Sequence, residues 1–201
     1  MWGAKMARKT QITKEIILQA ALNMLIRDGY SSINIKTLSK EIGCSTQPLV
    51  WHFGNMEGLR KALAEYALTY AKNKMNQTGD NAVGMFANIG KGYVDIAVNE
   101  PNLFRFLFLD ENNRGGEKKL GEIITSKHNA EIIKNISKQL DMPEENVGRY
   151  LQNTIIYAYG IAALAATKLI TASEEEIMIM INRVADAFIV QEGLPSDKIP
   201  Q

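Results

Sequence analysis

The chain of 201 residues contains one cysteine and two histidines, and this scarcity excludes several kinds of site. A single thiol, Cys44, cannot form an internal disulfide or a cysteine-rich zinc site. The histidines, His52 and His128, and the scattered carboxylates show no spacing typical of metal ligands. We therefore expect no metal ion and no other cofactor.

Signatures of catalysis and of membrane insertion are also lacking. The sequence has no glycine-rich phosphate-binding loop, no dinucleotide fingerprint and no nucleophile elbow. No apolar run approaches the roughly 18 residues free of polar groups that a membrane span needs, and the first residues lack the apolar core of a signal peptide. These absences predict a cytoplasmic protein that is not an enzyme and has no membrane partner.

Charge is distributed unevenly, although the formal net charge is only +1. Residues 1–61 contain nine basic and four acidic residues, a net charge of +5, and the remainder, with fourteen basic and eighteen acidic residues, carries −4. A positive segment suits the phosphate backbone of nucleic acid, with contacts that weaken as salt rises. Lys5, Arg8 and Lys9 precede the first predicted helix and form either an arm along DNA or an idle tail.

Residues 34–53 are predicted to form two short helices joined by a tight turn, the arrangement of a helix-turn-helix motif. Apolar residues recur on one face of the first helix, and Asn34 is a suitable N-terminal cap. Gly43 supplies the left-handed backbone that ends this helix, and Ser45 is predicted to cap the second one. The motif indicates a protein that binds DNA.

The second helix of the motif is predicted to present one side to the DNA major groove. At 100° per residue, Leu49 faces the small core and turns Gln47 and Trp51 to the opposite side. Glutamine can pair with adenine, and apolar groups can contact the methyl group of thymine. The alternative is that Trp51 packs under a neighbouring element and leaves only Gln47 in solvent.

The complete set of candidate DNA contacts includes residues of both helices. Thr46 and His52 lie at the edges of the exposed stripe, where they suit phosphate contacts. The candidates are Lys36, Thr46, Gln47, Pro48, Val50, Trp51 and His52.

Over residues 10–68 the sequence resembles the tetracycline-repressor (TetR) family of bacterial transcriptional regulators. The similarity, at the family's spacing, runs through Ile17–Ala21, Asp28–Tyr30, Ile35–Gly43 and Ser45–Phe53. It implies an N-terminal three-helix domain that binds DNA through the helix-turn-helix motif. Two positions depart from the family pattern: Val50 replaces a usual Tyr and Met56 replaces a usual Lys, both of which typically contact phosphates in the family.

We expect an all-α chain with two domains. Residues 10–70 are the helix-turn-helix domain, and residues 71–192 are a larger helical domain for ligand binding and dimerisation. The sequence contains no alternating pattern long enough to indicate a strand. Besides the motif and a helix that starts at residue 56 with Asn55 as its N-terminal cap, helices are predicted over residues 13–28, 82–99, 102–109, 120–140, 143–170 and 173–190.

The last two helices are predicted to form a subunit interface. Residues 157–166 are apolar nearly all the way round, which indicates burial on several sides. In the TetR family the two final helices of each subunit pair into a four-helix bundle, so the resemblance implies a homodimer on a palindromic operator. The alternative is the core of a monomer. The predicted interface residues are Tyr157, Gly160, Ile161, Leu164, Ile177, Ile181, Val184 and Phe188.

The resemblance also implies a pocket for a small molecule among the middle helices. Such a pocket is apolar with a few polar groups, which suits hydrophobic or amphipathic effectors without selecting one. Ordinary core packing is the alternative for each aromatic candidate, and exposure to solvent is the alternative for His128. The candidates are Phe86, Tyr93, Phe104, Phe108, His128, Asn153 and Tyr157.

The sequence therefore predicts a homodimeric repressor that a small-molecule inducer releases from double-stranded operator DNA. One alternative is a ligand-binding or interaction protein of the same fold with weakened DNA binding, which Val50 and Met56 favour. A second is an all-α enzyme, which lacks a paired acid and base at helical spacing. A third, a ligand-responsive activator, cannot be separated from a repressor by sequence.

Overall fold

The computed structural model describes residues 12–75, 81–113 and 127–193, without the side chains of residues 127–129. Within these ranges the regular structure is helical and no strand occurs, which confirms the predicted all-α fold. Two compact units, Met1–Tyr66 and Ala67–Gln201, divide the chain within one helix. The predicted N-terminal arm and the side chain of His128 lie outside the described residues.

The first unit places a small apolar core among four helical segments. They are α1 (Lys14–Asp28), α2 (Ile35–Ile42), α3 (Gln47–Phe53) and the N-terminal part of α4 (Met56–Met75). Helix α1 contacts both α2 and α3. Burial of each large apolar side chain contributes roughly 1.5–3 kcal/mol. The fully buried members of the core are Ile17, Leu25, Leu38, Leu49, Leu59 and Leu63.

Local hydrogen bonds set the ends of α2 largely as predicted. The backbone N–H of Thr37 donates to Asn34 Oδ1, and the N–H of Asn34 donates to Thr37 Oγ1, both at 2.9 Å. Gly43 ends α2 with φ of 75° and ψ of 34°. The predicted cap at Ser45 is wrong, because α3 begins at Gln47 and no side chain of the described residues caps it. A proline in the first turn of α3 removes one N–H that a cap would have satisfied.

The second unit is organised around one long helix, α8. The helices are α5 (Ala82–Asn99), α6 (Pro101–Phe104) with a π-helical turn (Arg105–Leu109), α7 (Lys127–Leu140), α8 (Glu144–Ala166) and α9 (Glu174–Gln191). Helix α8 packs against α5, α7 and α9. The prediction that this helix reaches Ile170 is wrong, since it ends at Ala166 and Lys168 adopts a φ of 60°.

A polar cluster joins the C-terminal part of α4 to the C-terminal end of α5. The Tyr70 hydroxyl and the Lys74 ammonium both donate to Glu100 Oε1 at 2.8 Å. Lys74 also lies 2.8 Å from Asp95 Oδ2. Burial lowers the pKa of Lys74, but its hydrogen bonds to the two carboxylates raise it more, so that the pKa lies above its usual value. The cluster therefore holds this part of α4 through charged hydrogen bonds.

Gly92 allows α5 to approach the backbone of α4 closely. A Cβ atom at this position would lie 2.7 Å from Met75 Cα and 3.0 Å from the carbonyl oxygen of Lys74. Backbone atoms cannot rotate away as the end of a flexible side chain can. A side chain at this position would therefore push the two helices apart.

We predict that Gly92→Ala destabilises the protein by about 1–3 kcal/mol, because the added methyl group overpacks this crossing. Urea unfolding measures the effect. Gly90→Ala is the matched control on the same helix, since a Cβ there has no neighbour within 4 Å. The control should be neutral or gain up to ~1 kcal/mol from helix propensity. Equal stability of the two variants would contradict the close crossing.

Candidate nucleic-acid interface and ligand cavity

Helix α3 buries one side and exposes the other. Leu49 has no exposed surface, whereas Val50 is 49% and Trp51 is 76% exposed. Gln47 is exposed as well. The indole of Trp51 forms a T-shaped pair with the neighbouring His52 ring, with centroids 4.5 Å apart. This exposure is inconsistent with the alternative in which Trp51 packs under another element.

Two contacts fix α3 within the first unit. The His52 Nε2 atom lies 3.0 Å from the carbonyl oxygen of Ile12, just before α1. At the other junction, a Cβ on Gly58 would lie 2.1 Å from the carbonyl oxygen of Phe53, so only glycine permits the approach of α4 to the end of α3. The N–H of Gly58 donates to Asn55 Oδ1 at 2.9 Å, which confirms the predicted cap of α4.

The helix that precedes α3 carries exposed positive charge. Lys36 and Lys40 are exposed on α2. Arg27 is instead paired with acidic side chains, at 2.8 Å from Asp28 and 3.0 Å from Glu41. Exposed lysines beside a helix-turn-helix turn suit phosphate contacts.

The structure places most of the predicted DNA contacts on the surface. Pro48 and His52 are half-buried, and the Nε2 atom of His52 is engaged by the Ile12 carbonyl. His52 therefore holds α3 in place, a role that the sequence did not indicate. The exposed candidates are Lys36, Thr46, Gln47, Val50 and Trp51.

The second unit contains a cavity of about 750 Å³, a size typical of small-molecule sites. Its wall is formed mainly by α5, α8 and α9 and is largely apolar. The apolar wall residues include Val83, Phe86, Ile89, Phe108, Ile155, Ala158, Ile181, Ala185 and Ile189.

Tyr93 gives one end of the cavity an unused hydrogen-bond donor. Its buried hydroxyl has no hydrogen-bond partner among the described residues. Burial raises the pKa of Tyr93, and the neighbouring Tyr159 raises it further, so the phenol remains protonated. The hydroxyl of Tyr159 already donates to the carbonyl oxygen of Phe108 at 2.8 Å. Of these two phenols, the one whose hydroxyl has no partner among the described residues is therefore Tyr93.

The other polar wall residues come from α8 and α9. The Thr154 hydroxyl donates to the backbone carbonyl of Tyr150 at 2.9 Å, which occupies its proton. Asn182 and Asp186 line the cavity from α9 and are exposed. Burial raises the pKa of Tyr150, the Thr154 side chain lowers it, and the charge of Asp186 raises it.

The predicted pocket residues divide into lining, supporting and distant groups. Phe104 is fully buried and supports the wall by packing on Tyr93, with ring centroids 4.9 Å apart. Asn153 and Tyr157 lie outside the lining, because each precedes a wall residue by one position, or about 100° on a helix. The predicted residues that do line the cavity are Phe86, Tyr93 and Phe108.

Several wall residues were not predicted from the sequence, although their regular spacing indicates them. Tyr150, Thr154 and Ala158 follow one another at four-residue spacing, which puts them on one face of α8. Asn182 and Asp186 repeat at the same spacing within the apolar α9. Polar residues placed in this way on facing helices are a recognisable sign of a polar patch in a cavity wall.

The predicted interface residues also differ in burial. Ile161, Ile177 and Ile181 are buried around Val94 in the core of their own chain, and the half-buried Tyr157 packs against them. Val184 and Phe188 are half-buried. The most apolar residues of α8 and α9 are therefore buried in the core of the chain itself. The exposed residues without a charged or amide side chain on these helices include Ile156, Tyr159, Gly160 and Leu164 on α8, and Ile179, Met180, Ala187 and Val190 on α9.

The described residues offer neither a metal-binding group nor a membrane-spanning helix. They contain no group of three His, Cys, Asp or Glu side chains that could hold a metal ion. In the same ranges, no helix combines the length and apolarity of a membrane span.

Comparison with known proteins matches the first unit to one family. The family model described as bacterial regulatory proteins, tetR family, matches residues 17–63. The uncharacterized HTH-type transcriptional regulator Rv0681 of Mycobacterium tuberculosis is 28% identical over 92 residues, 43% of this chain and 42% of that protein. The regulator YobS of Bacillus subtilis, also uncharacterized, is 23% identical over 124 residues, 59% of this chain and 63% of that protein. Each alignment thus covers less than two thirds of the relative.

A solved structure with the same fold extends the similarity beyond the first unit. It is a TetR variant from Acinetobacter baumannii AYE in complex with minocycline, with a TM-score of 0.56 and 16% identity. The match covers 90% of this chain and 96% of that chain. At this identity the likeness concerns the fold, an N-terminal helix-turn-helix domain followed by a helical domain.

We predict that Trp51→Ala leaves the free energy of unfolding within ~0.5 kcal/mol of the unmodified value, because an exposed side chain loses little packing. Leu49→Ala, on the buried side of the same helix, should cost about 2–5 kcal/mol. Urea unfolding monitored by circular dichroism measures both. A large loss of stability in Trp51→Ala would mean that the indole packs against the protein after all.

Proposed function

We propose that this chain, whose residues 17–63 are a TetR-family helix-turn-helix domain, is a homodimeric transcriptional repressor that leaves its operator when a small molecule fills the cavity. The family match confirms the resemblance found in the sequence. The observation that carries the proposal is the exposed face of α3, where Gln47, Val50 and Trp51 project from a helix anchored by the buried Leu49.

The exposed side of α3 suits a DNA major groove. The Gln47 amide can pair bidentately with adenine, and Val50 and Trp51 offer apolar surface to thymine methyl groups. Lys36 and Thr46 supply phosphate contacts that set the register of the helix without reading sequence. His52 supports the interface through the Ile12 carbonyl instead of contacting phosphate.

We predict that Gln47→Ala and Trp51→Ala each weaken operator binding by about 1–3 kcal/mol, or roughly 5–150-fold. The measurement is a fluorescence titration with DNA from the gene's own upstream region, at two salt concentrations, against a random duplex of equal length. Lys36→Ala should weaken binding to both duplexes and lower the salt slope by about one.

Asn135→Ala is the control for this titration, because Asn135 is exposed on α7 in the second unit. It should bind operator as the unmodified protein does. Equal affinity of the unmodified protein for both duplexes would instead support a second function, a ligand-binding protein with weakened DNA binding. Val50 favours that alternative, because it is exposed where the family usually has Tyr.

Dimerisation is proposed through the exposed apolar face of α8 and α9. Ile156, Gly160 and Leu164 follow at four-residue spacing along α8, and Leu164 is 42% exposed. Met180 and Val190 add exposed apolar surface on α9, which packs beside α8. Gly160 would let a second helix approach closely, as a Cβ there has no neighbour within 4 Å. Two half-sites on one dimer supply the affinity that a single recognition helix lacks.

We predict that Leu164→Lys raises the Kd of the dimer by about tenfold or more, since a charge at the centre of an apolar interface loses its hydration. Sedimentation equilibrium measures this Kd. Met85→Lys on α5 is the matched control, because Met85 is 43% exposed, nearly the same as Leu164. Equal effects of the two variants would argue for a different interface.

Release of the operator requires that the ligand bind one conformation better than the other. Helix α4 contributes to both units, with Leu63 in the core of the first and Met75 in the cavity wall of the second. A ligand that displaces the C-terminal turn of α4 therefore acts on the helix that follows the recognition helix. DNA fixes the spacing of the two recognition helices, so such a displacement weakens one half-site or both.

A further inference from the structure

We propose that the cavity of the second unit selects elongated amphipathic cations, with the cationic group at Asp186 and a hydrogen-bond acceptor at the Tyr93 hydroxyl. This inference names the ligand class of the proposed regulator and rests on the function proposed above. It depends on three properties of the wall: its charge, its unused donor and the distance between its polar ends.

The charge of the wall disfavours anions. Asp186 is the one charged side chain among the described residues that line the cavity, and no Lys or Arg is found in that set. A carboxylate or sulfonate ligand would lose its hydration without gaining a positive partner, which is unfavourable in an apolar site. A cation gains an ion pair with Asp186. Solvent weakens this ion pair, because the Asp186 side chain is exposed.

The unused donor requires an acceptor on the ligand. Tyr93 belongs to the wall of the cavity, and its hydroxyl is buried there without a partner among the described residues. An unsatisfied buried donor destabilises the protein, and a carbonyl or ether oxygen on the ligand would satisfy it. Phe108 and Tyr159 pack around the Tyr93 ring, with centroids 5.1 and 6.4 Å away, and provide flat apolar surface beside this donor.

The separation of the two polar ends defines the length of the ligand. Ala185 and Ile189, which flank Asp186 on α9, pack in one cluster with Tyr150, and Tyr93 stacks on Tyr159. Tyr150 and Tyr159 both belong to α8, where a rise of ~1.5 Å per residue separates them by roughly 13 Å. Between them the wall is formed by Thr154, Ile155 and Ala158, and the Thr154 hydroxyl already donates its proton to the Tyr150 carbonyl. A ligand that reaches both ends therefore has an apolar body between two polar groups.

The probe that tests this class is 4-(4-acetylphenoxy)butyl-trimethylammonium, which has a carbonyl group at one end and a quaternary ammonium at the other. Three analogues change one feature each: tert-butyl for trimethylammonium, sulfonate for trimethylammonium, and ethyl for acetyl. Isothermal titration of the full-length protein should give the tightest binding for the unmodified probe and the weakest for the sulfonate.

Two variants assign the ends of the probe. Tyr93→Phe keeps the ring and should weaken the acetyl probe by about 2–10-fold, while leaving the ethyl analogue unchanged. Asp186→Asn should weaken the ammonium probe by about 2–5-fold and leave the tert-butyl analogue unchanged. Tightest binding of the sulfonate, or an ammonium probe insensitive to Asp186→Asn, would overturn the proposed ligand class.

Operator titration in the presence of the probe separates this proposal from the function on which it rests. If the probe binds as expected but operator affinity does not change, the ligand class is supported and release by an inducer is refuted. If operator binding is specific but none of the four compounds binds, the ligand class is refuted and DNA binding is unaffected.

Discussion

Helix α8 faces three different environments around its circumference, and the arrangement of the second unit depends on these three faces. One face buries Val147, Leu151 and Ile161 in the two core clusters shared with α5 and α9. A second face lines the cavity, and a third leaves Ile156 and Leu164 exposed. Since only 3.6 residues complete a turn, each role has about one position per turn. A helix that is apolar all round is the necessary consequence.

This division explains why the most apolar residues of α8 and α9 need not belong to the proposed subunit interface. The largest apolar side chains of α8 and α9 give the strongest periodic signal, and the chain's own core takes them first because their burial there needs no second molecule. Ile177 and Ile181 are examples. The face left for a partner is less apolar and includes Gly160 and Ala187. A subunit interface that forms after folding can use only the residues that the core leaves exposed.

Local signals in the sequence were sufficient to predict the first unit. Caps and turns act over three or four residues, so Asn34, Gly43 and Asn55 determine helix ends whatever surrounds them. The inward direction of Leu49 follows from helix geometry, and with it the exposure of Trp51. The start of α3 was missed because Pro48 changes what its first turn needs, an effect that cap propensity does not include.

The cavity could be predicted only in part, because a wall depends on rotation about a helix axis. Phe86, Tyr93 and Phe108 were found through their aromatic character. On α8, the choice of Asn153 and Tyr157 was off by one residue, and one residue turns a side chain by about 100°. Which face of α8 meets open space depends on where α5 and α9 pack, a long-range property that helical periodicity does not encode.

The unequal charge of the two parts of the chain also limits how the cavity can be coupled to DNA. A cation bound near Asp186 adds positive charge to the protein, which by itself would favour DNA. Electrostatics therefore opposes release, and packing has to overcome it. Gly92 brings α5 into backbone contact with Met75, a residue of the cavity wall, and no side chain separates the two helices there. A ligand that displaces Met75 consequently moves the backbone of α4 itself, and a helix transmits such a movement along its length.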